Sequence, residues 1–428
     1  GNDERALHLY ENMREEGIQA DGFIFVSVLK ACANLEALEK GKSTHAELTK
    51  VGLAADMFVG STLVDMYIKC GRLDDARTMF KNLFVKDVVA WSALISGLTS
   101  YGCGDEALNV YVEMKNYGTR PNKVTLVNLL KACSSTRALD TGKIIHFEVV
   151  ELGFEVGSTL GNTLVDMYAK CSSLEDAYKM FDNLVLKDIV SWNTMIGGYV
   201  DNGYNCRALE LSERLEKESI MLGLDEYTIL AILKACSNMA ALDRGRSIHS
   251  DVAKRGFEEE LVVCNGLINM YAKCGSLNET DVLFKRMPNK TGVSWNALIC
   301  AYAEHGNMVE AKSYFETMQN HDFGADEVTF ISLLAGCNHG GLIEEGFYYL
   351  QSMINYHALT PTIQHYICMI DILGRVGCID EAERVVLEMP FEPNYIVWIT
   401  FLSSCEKHEW LEAGMCISDY FALSFPNF

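Results

Sequence analysis

The sequence predicts an all-α fold, a right-handed α-solenoid superhelix of helix–turn–helix repeats of 31–37 residues, and three observations carry that expectation. Four tryptophans, Trp91, Trp192, Trp295 and Trp398, stand 101, 103 and 103 residues apart, and each opens the same kind of phrase, such as Trp192-Asn-Thr-Met-Ile and Trp295-Asn-Ala-Leu-Ile. Two more phrases keep nearly that period: Lys30-Ala-Cys, Lys131-Ala-Cys and Lys234-Ala-Cys in one series, Asp65-Met-Tyr, Asp166-Met-Tyr and Asn269-Met-Tyr in the other. Between them, apolar residues keep three-to-four spacing, broken by glycine and closed by proline. A period of about a hundred residues is too long for one hairpin and reads as a cycle of three smaller units.

The unit 88–122 shows the pattern. Leu94, Ile95 and Leu98 share one helical face, Ala107, Leu108, Tyr111 and Met114 another, with Gly102 and Gly104 between and Pro121 near the end. That is helix, turn, helix, closed by a residue that cannot continue the second helix. The next unit, 123–157, carries Lys131-Ala-Cys, Gly142-Lys and His146; the third, 158–188, is four residues shorter and carries Asp166-Met-Tyr and Asp176-Ala. The same order places a partial unit at 1–21, then 22–56 and 57–87, and beyond 188 the units 189–225, 226–260, 261–291 and 292–326. Variant units follow at 327–362 and 363–394, and a terminal hairpin at 395–428. Each amphipathic hairpin can bury its apolar face only against its neighbours, so no β-sheet is expected.

Composition agrees. Of 428 residues, 49% are hydrophobic, enough for a continuous core and too many for a disordered chain. No apolar run approaches the eighteen or so residues of a membrane span, and no membrane partner is expected. Fifteen cysteines include the series Cys32, Cys133, Cys236 and Cys337 and the series Cys70, Cys171 and Cys274. Cysteine recurring on a helix face reads as small core packing in a reducing compartment, and no two lie at the spacing of a zinc knuckle. The formal charge of −22 disfavours nonspecific attraction to nucleic acid or acidic membranes. The chain starts at Gly1 partway through a unit, so any targeting segment is expected outside it.

The alternation of 35, 35 and 31 residues, with the Trp-Asn and Lys-Ala-Cys phrases, resembles the plant pentatricopeptide repeat family of the P, L and S subtype across the whole chain. Leu342-Ile-Glu-Glu-Gly, His365-Tyr, Leu373-Gly-Arg and Met389-Pro-Phe-Glu-Pro resemble the variant L and S motifs that end such arrays, and Trp398-Ile-Thr-Phe-Leu-Ser-Ser-Cys resembles the first E-type motif. The resemblance implies a specificity factor for organellar C-to-U RNA editing, in mitochondrion or chloroplast. It binds single-stranded RNA, one base per unit, and works with a DYW-type deaminase or other editing accessory proteins.

The family reads a base with the fifth and final residues of each P or S unit. Here those pairs are Ser61 with Asp87, Ser92 with Asn122, Asn162 with Asp188, Asn193 with Asp225, Asn265 with Thr291, and Asn296 with Asp326. Small polar side chains of this kind can address a Watson–Crick edge. The L units carry Val26, Val127, Leu230 and Ile331 at the fifth position, and an aliphatic group reads no hydrogen-bonding edge. N-capping offers another account of Ser and Asn near a helix start, but it leaves unexplained why every L unit is aliphatic there. By the family's code, units 57–326 would read 5′-G-A-n-U-U-n-Y-U-3′. Val89, Val190, Val262 and Val293, three residues before the fifth position, would press on base faces; ordinary packing explains them equally well. Lys69, Lys170 and Lys273 in S units, and Lys30, Lys131 and Lys234 in L units, could hold phosphates or complement a helix dipole.

The last S unit departs from the pattern, with Ile367 and Asn394 where a polar pair is expected, and the family places the edited cytidine four nucleotides beyond the base aligned with that unit. His45-Ala-Glu47 and His146-Phe-Glu148 match half of the zinc deaminase signature, whose chemistry also needs a cysteine pair. Both histidines occupy one repeat position, shared by His249, so a structural role is expected. No catalytic residue, metal or cofactor is assigned to the chain, and a deaminase would come from a further C-terminal domain or in trans. A protein-binding scaffold of tetratricopeptide kind is the alternative function.

Overall fold

The structure is a computed structural model and describes residues 2–408 apart from 55, 155, 156, 219–223 and 322. Among the described residues the chain forms twenty-four α-helices, one short 3-10 turn and no strand. The helices pair as hairpins after α1 (Asp3–Glu15): α2 (Gly22–Asn34) with α3 (Leu38–Val51), α4 (Met57–Lys69) with α5 (Leu73–Asn82), α6 (Val88–Ser100) with α7 (Gly104–Asn116), and α8 (Lys123–Thr136) with α9 (Leu139–Glu151). There follow α10 (Ser158–Lys170) with α11 (Leu174–Asp182), α12 (Ile189–Asp201) with α13 (Asn205–Glu218), α14 (Glu226–Met239) with α15 (Leu242–Arg255), and α16 (Leu261–Lys273) with α17 (Leu277–Arg286). The last are α18 (Gly292–Glu304) with α19 (Met308–Asn320), α20 (Glu327–Gly340) with α21 (Ile343–Asn355), α22 (Ile363–Val376) with α23 (Ile379–Glu388), and α24 (Tyr395–Lys407). Of the terminal hairpin expected at 395–428, α24 is described; the remainder from 409 lies outside the described residues.

Two compact units result. One runs from α1 through Ala208 near the start of α13, the other takes Leu209–Glu216 of α13 and everything from α14 on. Each is an all-α solenoid built in two layers. First helices of consecutive hairpins pack side by side, as α4 does with α2 and α6, or α18 with α16 and α20. Second helices pack on their own first helix and on the next one, as α7 does on α6 and α8, or α17 on α16 and α18. The short units lose their four residues from the second helix: α5, α11, α17 and α23 have 9 or 10 residues, whereas α7, α9, α19 and α21 have 13. Four residues make about one turn, so removal shortens the outer layer and leaves the inner register intact.

The recurring phrases are inter-hairpin contacts. Trp91, Trp192 and Trp295 are buried and meet Phe80, Phe181 and Phe284 of the preceding short unit edge-to-face, with ring centroids 4.7, 4.9 and 4.7 Å apart. Removing such a buried indole costs on the order of 3–5 kcal/mol. Gly41, Gly142 and Gly245 let an outer helix approach the next inner one: a Cβ there would stand 2.5, 2.4 and 2.3 Å from the sulfur of Met66, Met167 and Met270. The methionine is the Met of each Asp-Met-Tyr or Asn-Met-Tyr phrase.

The cysteine series is core. Cys32, Cys133, Cys236 and Cys337 are fully buried, and burial pushes their thiols up, to about 11 for Cys32 and Cys236 and about 12 for Cys133 and Cys337. Cys70, Cys171 and Cys274 each donate an S–H to the carbonyl of the paired cysteine 38 residues earlier, at 4.0, 3.6 and 3.8 Å. Thiols so protonated pack and do not react. Among the described residues no helix is long and apolar enough to cross a membrane.

Candidate nucleic-acid interface

Every first helix begins immediately after the last residue of the preceding unit, and that last residue is its N-cap. Asp87 accepts from the Ala90 N–H at 2.8 Å, Asn122 from Thr125 at 2.9 Å, Asp188 from Ser191 at 2.8 Å, Asp225 from Thr228 at 2.9 Å, Thr291 from Ser294 at 3.4 Å and Asp326 from Thr329 at 2.9 Å. Capping therefore belongs to the final residue of each pair. The fifth residue lies inside the helix, more than a turn beyond the cap, so N-capping does not account for Ser61, Ser92 or the asparagines.

Of the five pairs that lie within one compact unit, four are in hydrogen-bonding contact. Ser61 Oγ lies 3.0 Å from Asp87 Oδ1, sharing its proton with the Met57 carbonyl. Ser92 Oγ is 3.5 Å from Asn122 Oδ1. Asn162 Nδ2 donates to Asp188 Oδ1 at 3.1 Å, and Asn296 Nδ2 donates to both Asp326 oxygens at 2.9 and 3.1 Å. Asn193 is buried on α12, while Asp225 caps α14 in the other compact unit. Asn265 and Thr291 are not joined: the Thr291 hydroxyl meets Ser294, and Asn265 Oδ1 is buried with no partner.

Burial alone would push the Asp188 carboxyl up. Hydrogen bonds from the Ser191 hydroxyl and N–H and from the Asn162 amide overcome that and hold it below the usual carboxylate range. At neutral pH it is an ionised, acceptor-only group.

Three residues before each fifth position, on the same helical face, the valines stand in solvent. Val89, Val190, Val262 and Val293 are 53–64% exposed, so ordinary packing does not account for them. The row is longer than the sequence reading had it: Phe23, Phe58, Val124, Tyr227, Val328 and Ile396 hold the same place and are also exposed. Their side chains differ in type and stand in both polar and aliphatic units, and the repeat position alone marks them in the sequence. The inner face thus carries exposed apolar groups with nearly buried polar ones, such as Asn162 and Asn296, set between them.

The lysines divide. Lys69 and Lys170 are paired with Asp65 and Asp166 one turn earlier, at 3.1 and 3.0 Å. Lys273 has Asn269 in that place, and Lys30 and Lys131 are exposed with no carboxylate partner among the described residues. The structure adds a second lysine series: Lys86, Lys187 and Lys290 directly precede Asp87, Asp188 and Thr291. Their ammonium groups donate to the carbonyls of Leu83, Leu184 and Met287 at 3.2, 3.3 and 3.1 Å and lie 5.5, 5.5 and 5.3 Å from the ring centroids of Phe80, Phe181 and Phe284. They pin the loop that delivers each final residue. The signal was a lysine next to last in three short units.

The His-x-Glu phrases are brackets facing two ways. His45 and His146 reach forward to the hydroxyls of Tyr67 and Tyr168, at 2.8 Å each, while Glu47 and Glu148 accept from Tyr10 and Tyr111 behind. His249 meets Tyr271 at 2.7 Å in the same way, and its backward contact is replaced by Arg244 with Glu216 at 2.7 Å. Among the described residues no group of three His, Cys, Asp or Glu is placed to hold a metal ion.

Comparison with known proteins agrees with this repeat geometry. The PPR repeat family matches residues 86–135 and 290–339, and the PPR repeat matches 61–88, 162–189, 190–217, 262–290 and 365–392. A pentatricopeptide repeat-containing protein of Arabidopsis thaliana named chloroplastic is 36% identical over 96% of this chain and 54% of its own length. Another from the same plant, named mitochondrial, is 33% identical over 96% of this chain and 68% of its own length. The chain thus spans about half to two thirds of these relatives. The crystal structure of the pentatricopeptide repeat protein PPR10 in complex with an 18-nt psaJ RNA element superposes with a TM-score of 0.70 over 98% of this chain and 71% of that one, at 19% identity, a likeness of fold. With repeat matches over more than half of its residues and relatives aligned along nearly all of it, the chain belongs to the pentatricopeptide repeat family.

Proposed function

We propose that the chain binds single-stranded RNA on the face formed by its first helices and reads one base per P or S unit, as the site-specificity factor of an organellar C-to-U editing complex. The observation that carries this reading is the pairing of fifth and final residues between exposed apolar groups. Apolar side chains at the second position suit the faces of unstacked bases, and the half-satisfied polar pairs between them suit base edges. The aliphatic Val26, Val127, Leu230 and Ile331 suit spacers. The relative named chloroplastic, the one named mitochondrial and the PPR10 complex with RNA all support an organellar RNA-binding role.

On this reading the chain belongs to the PLS subclass. The sequence 395–428 serves as an E-type motif that docks a DYW-type deaminase, supplied by another domain or in trans, and the chain itself targets rather than catalyses. The test is filter binding to 5′-G-A-n-U-U-n-Y-U-3′ against single-base variants. Loss of affinity at specified positions, and tolerance at the two n positions, supports base reading. Binding indifferent to base identity would overturn it and favour a protein-binding scaffold.

A further inference from the structure

In three of the pairs the final residue does two tasks, capping the next helix and holding the fifth side chain, and a third side chain joins it. In these three the third residue of the following unit carries a hydroxyl that touches both. Ser191 Oγ lies 2.7 Å from Asn162 Oδ1 and 2.8 Å from Asp188 Oδ1. Thr329 Oγ1 lies 2.6 Å from Asn296 Oδ1 and 2.9 Å from Asp326 Oδ1. Thr125 Oγ1 lies 2.6 Å from Ser92 Oγ and 3.0 Å from Asn122 Oδ1. The triangle occurs in both compact units, and all three hydroxyl residues are fully buried.

We infer that Ser191 and Thr329 are specificity-determining positioning residues, which fix the amide of the preceding unit's asparagine so that it distinguishes uracil from cytosine. The inference rests on the base-reading proposal above. An asparagine amide has two N–H donors and an oxygen with two lone pairs. In Asn162 one N–H goes to Asp188 and one lone pair shares the Ser191 proton with Asp188 Oδ1, which leaves one donor and one acceptor in a fixed order. Uracil offers an acceptor at O4 beside a donor at N3; cytosine offers a donor at N4 beside an acceptor at N3. The two edges are the same pattern reversed, so an amide free to turn over accepts both. An amide held at both ends favours one.

Asn265 supplies the contrast. Its following unit also has a hydroxyl in that place, Ser294, but that group is engaged with Thr291, 3.3 Å from its N–H and 3.2 Å from its hydroxyl. No carboxylate stands at the unit's end, and Asn265 Oδ1 is left unpartnered. This amide is not clamped, which suits a unit that takes either pyrimidine.

The experiment compares binding of RNAs with U or C under the 158–188 unit, the rest of the register held constant, for the parent chain, Ser191→Ala and Ser191→Thr. Loss of one hydrogen bond corresponds to a roughly threefold to tenfold fall in the U-over-C ratio, expected for Ser191→Ala at that base alone. Ser191→Thr keeps the hydroxyl and should keep the ratio, as should the base under Asn296 in every one of these variants. Thr329→Val and Thr329→Ser repeat the comparison in the other compact unit, should Ser191→Ala not fold. A folded Ser191→Ala or Thr329→Val chain with the parent's ratio overturns the inference and reduces the hydroxyl to a cap. A parent chain that shows no base preference overturns the base-reading proposal itself.

Discussion

His146 Nδ1 stands 2.8 Å from the Tyr168 hydroxyl and ties the outer helix of one hairpin to the inner helix of the next. The same tie recurs at His45 with Tyr67 and at His249 with Tyr271. Burial pushes all three imidazoles below the ordinary histidine value, and nearby Asp75, Asp176 and Glu258 offset this only in part. A base whose folded pKa is depressed favours the neutral form in the folded state. Its contribution is present above the unfolded value of about 6.5 and is lost as pH falls through the folded value. The melting temperature should therefore drop between about pH 7 and the acid side of the histidine range. His146→Phe should shrink the drop, and an unchanged pH profile in that variant would exclude the histidine as a cause.

Tyr168→Phe isolates the hydrogen bond from the ring packing. It should destabilise the chain by about 1 kcal/mol at neutral pH, read by urea denaturation, while the ring remains in place. No loss would mean that water replaces the hydroxyl without cost.

Inner helices leave no room where Gly198 of α12 meets Ala169 of α10. A Cβ at Gly198 would stand 2.7 Å from the Ala169 Cβ, a group with no rotamer to escape into. Gly198→Ala should destabilise by about 1–3 kcal/mol. Gly292→Ala is the control: a Cβ there meets nothing within 4 Å, and the substitution should be neutral or stabilising by up to about 1 kcal/mol. Equal denaturation midpoints for the two variants would contradict this packing.

How much of this was legible in the sequence depends on whether a residue's partner repeats with it. Trp91 and Phe80 recur together, so the period revealed the hairpins and their all-α stacking. The glycine series was visible as a phrase, but its reason lies in Met66, Met167 and Met270, which no local pattern connects to it. A structural role for His45-Ala-Glu47 was legible from its repeat position, but a linear motif does not show that its two residues point at different neighbours. The polar pairs were legible as types. Their geometry was not, because Asp188 serves the Ser191 N–H, the Ser191 hydroxyl and the Asn162 amide at once, and Asn162 lies on a different helix.

The lysines are expected to differ in their effect on RNA affinity. Lys69 and Lys170 already face Asp65 and Asp166, whereas Lys30 and Lys131 have no carboxylate partner among the described residues. On single strands each phosphate contact contributes roughly 0.7 to the slope of log affinity against log salt. Lys30→Ala with Lys131→Ala should flatten that slope by about 1.4 and weaken all sequences alike. Lys69→Ala with Lys170→Ala should flatten it less, because those charges are partly neutralised. Base preference should survive in both, since phosphate contacts position and base contacts specify. Equal slopes for the two double variants would show that the ion pairs do not matter.

The unclamped amide of Asn265 gives the last prediction. Thr291 caps α18 through a 3.4 Å contact to the Ser294 N–H and supplies no acceptor to Asn265, whose buried oxygen has no partner. Thr291→Asp places at that cap the side chain that Asp188 and Asp326 supply to Asn162 and Asn296. Aspartate caps a helix at least as well as threonine, so the melting temperature should hold or rise. The new carboxylate draws the amide N–H and fixes its order of donor and acceptor. With U or C under the 261–291 unit, the parent should bind both within about twofold, and Thr291→Asp should favour U by roughly threefold to tenfold. A stable variant that still binds both alike would show that the final residue caps the helix without orienting its reader.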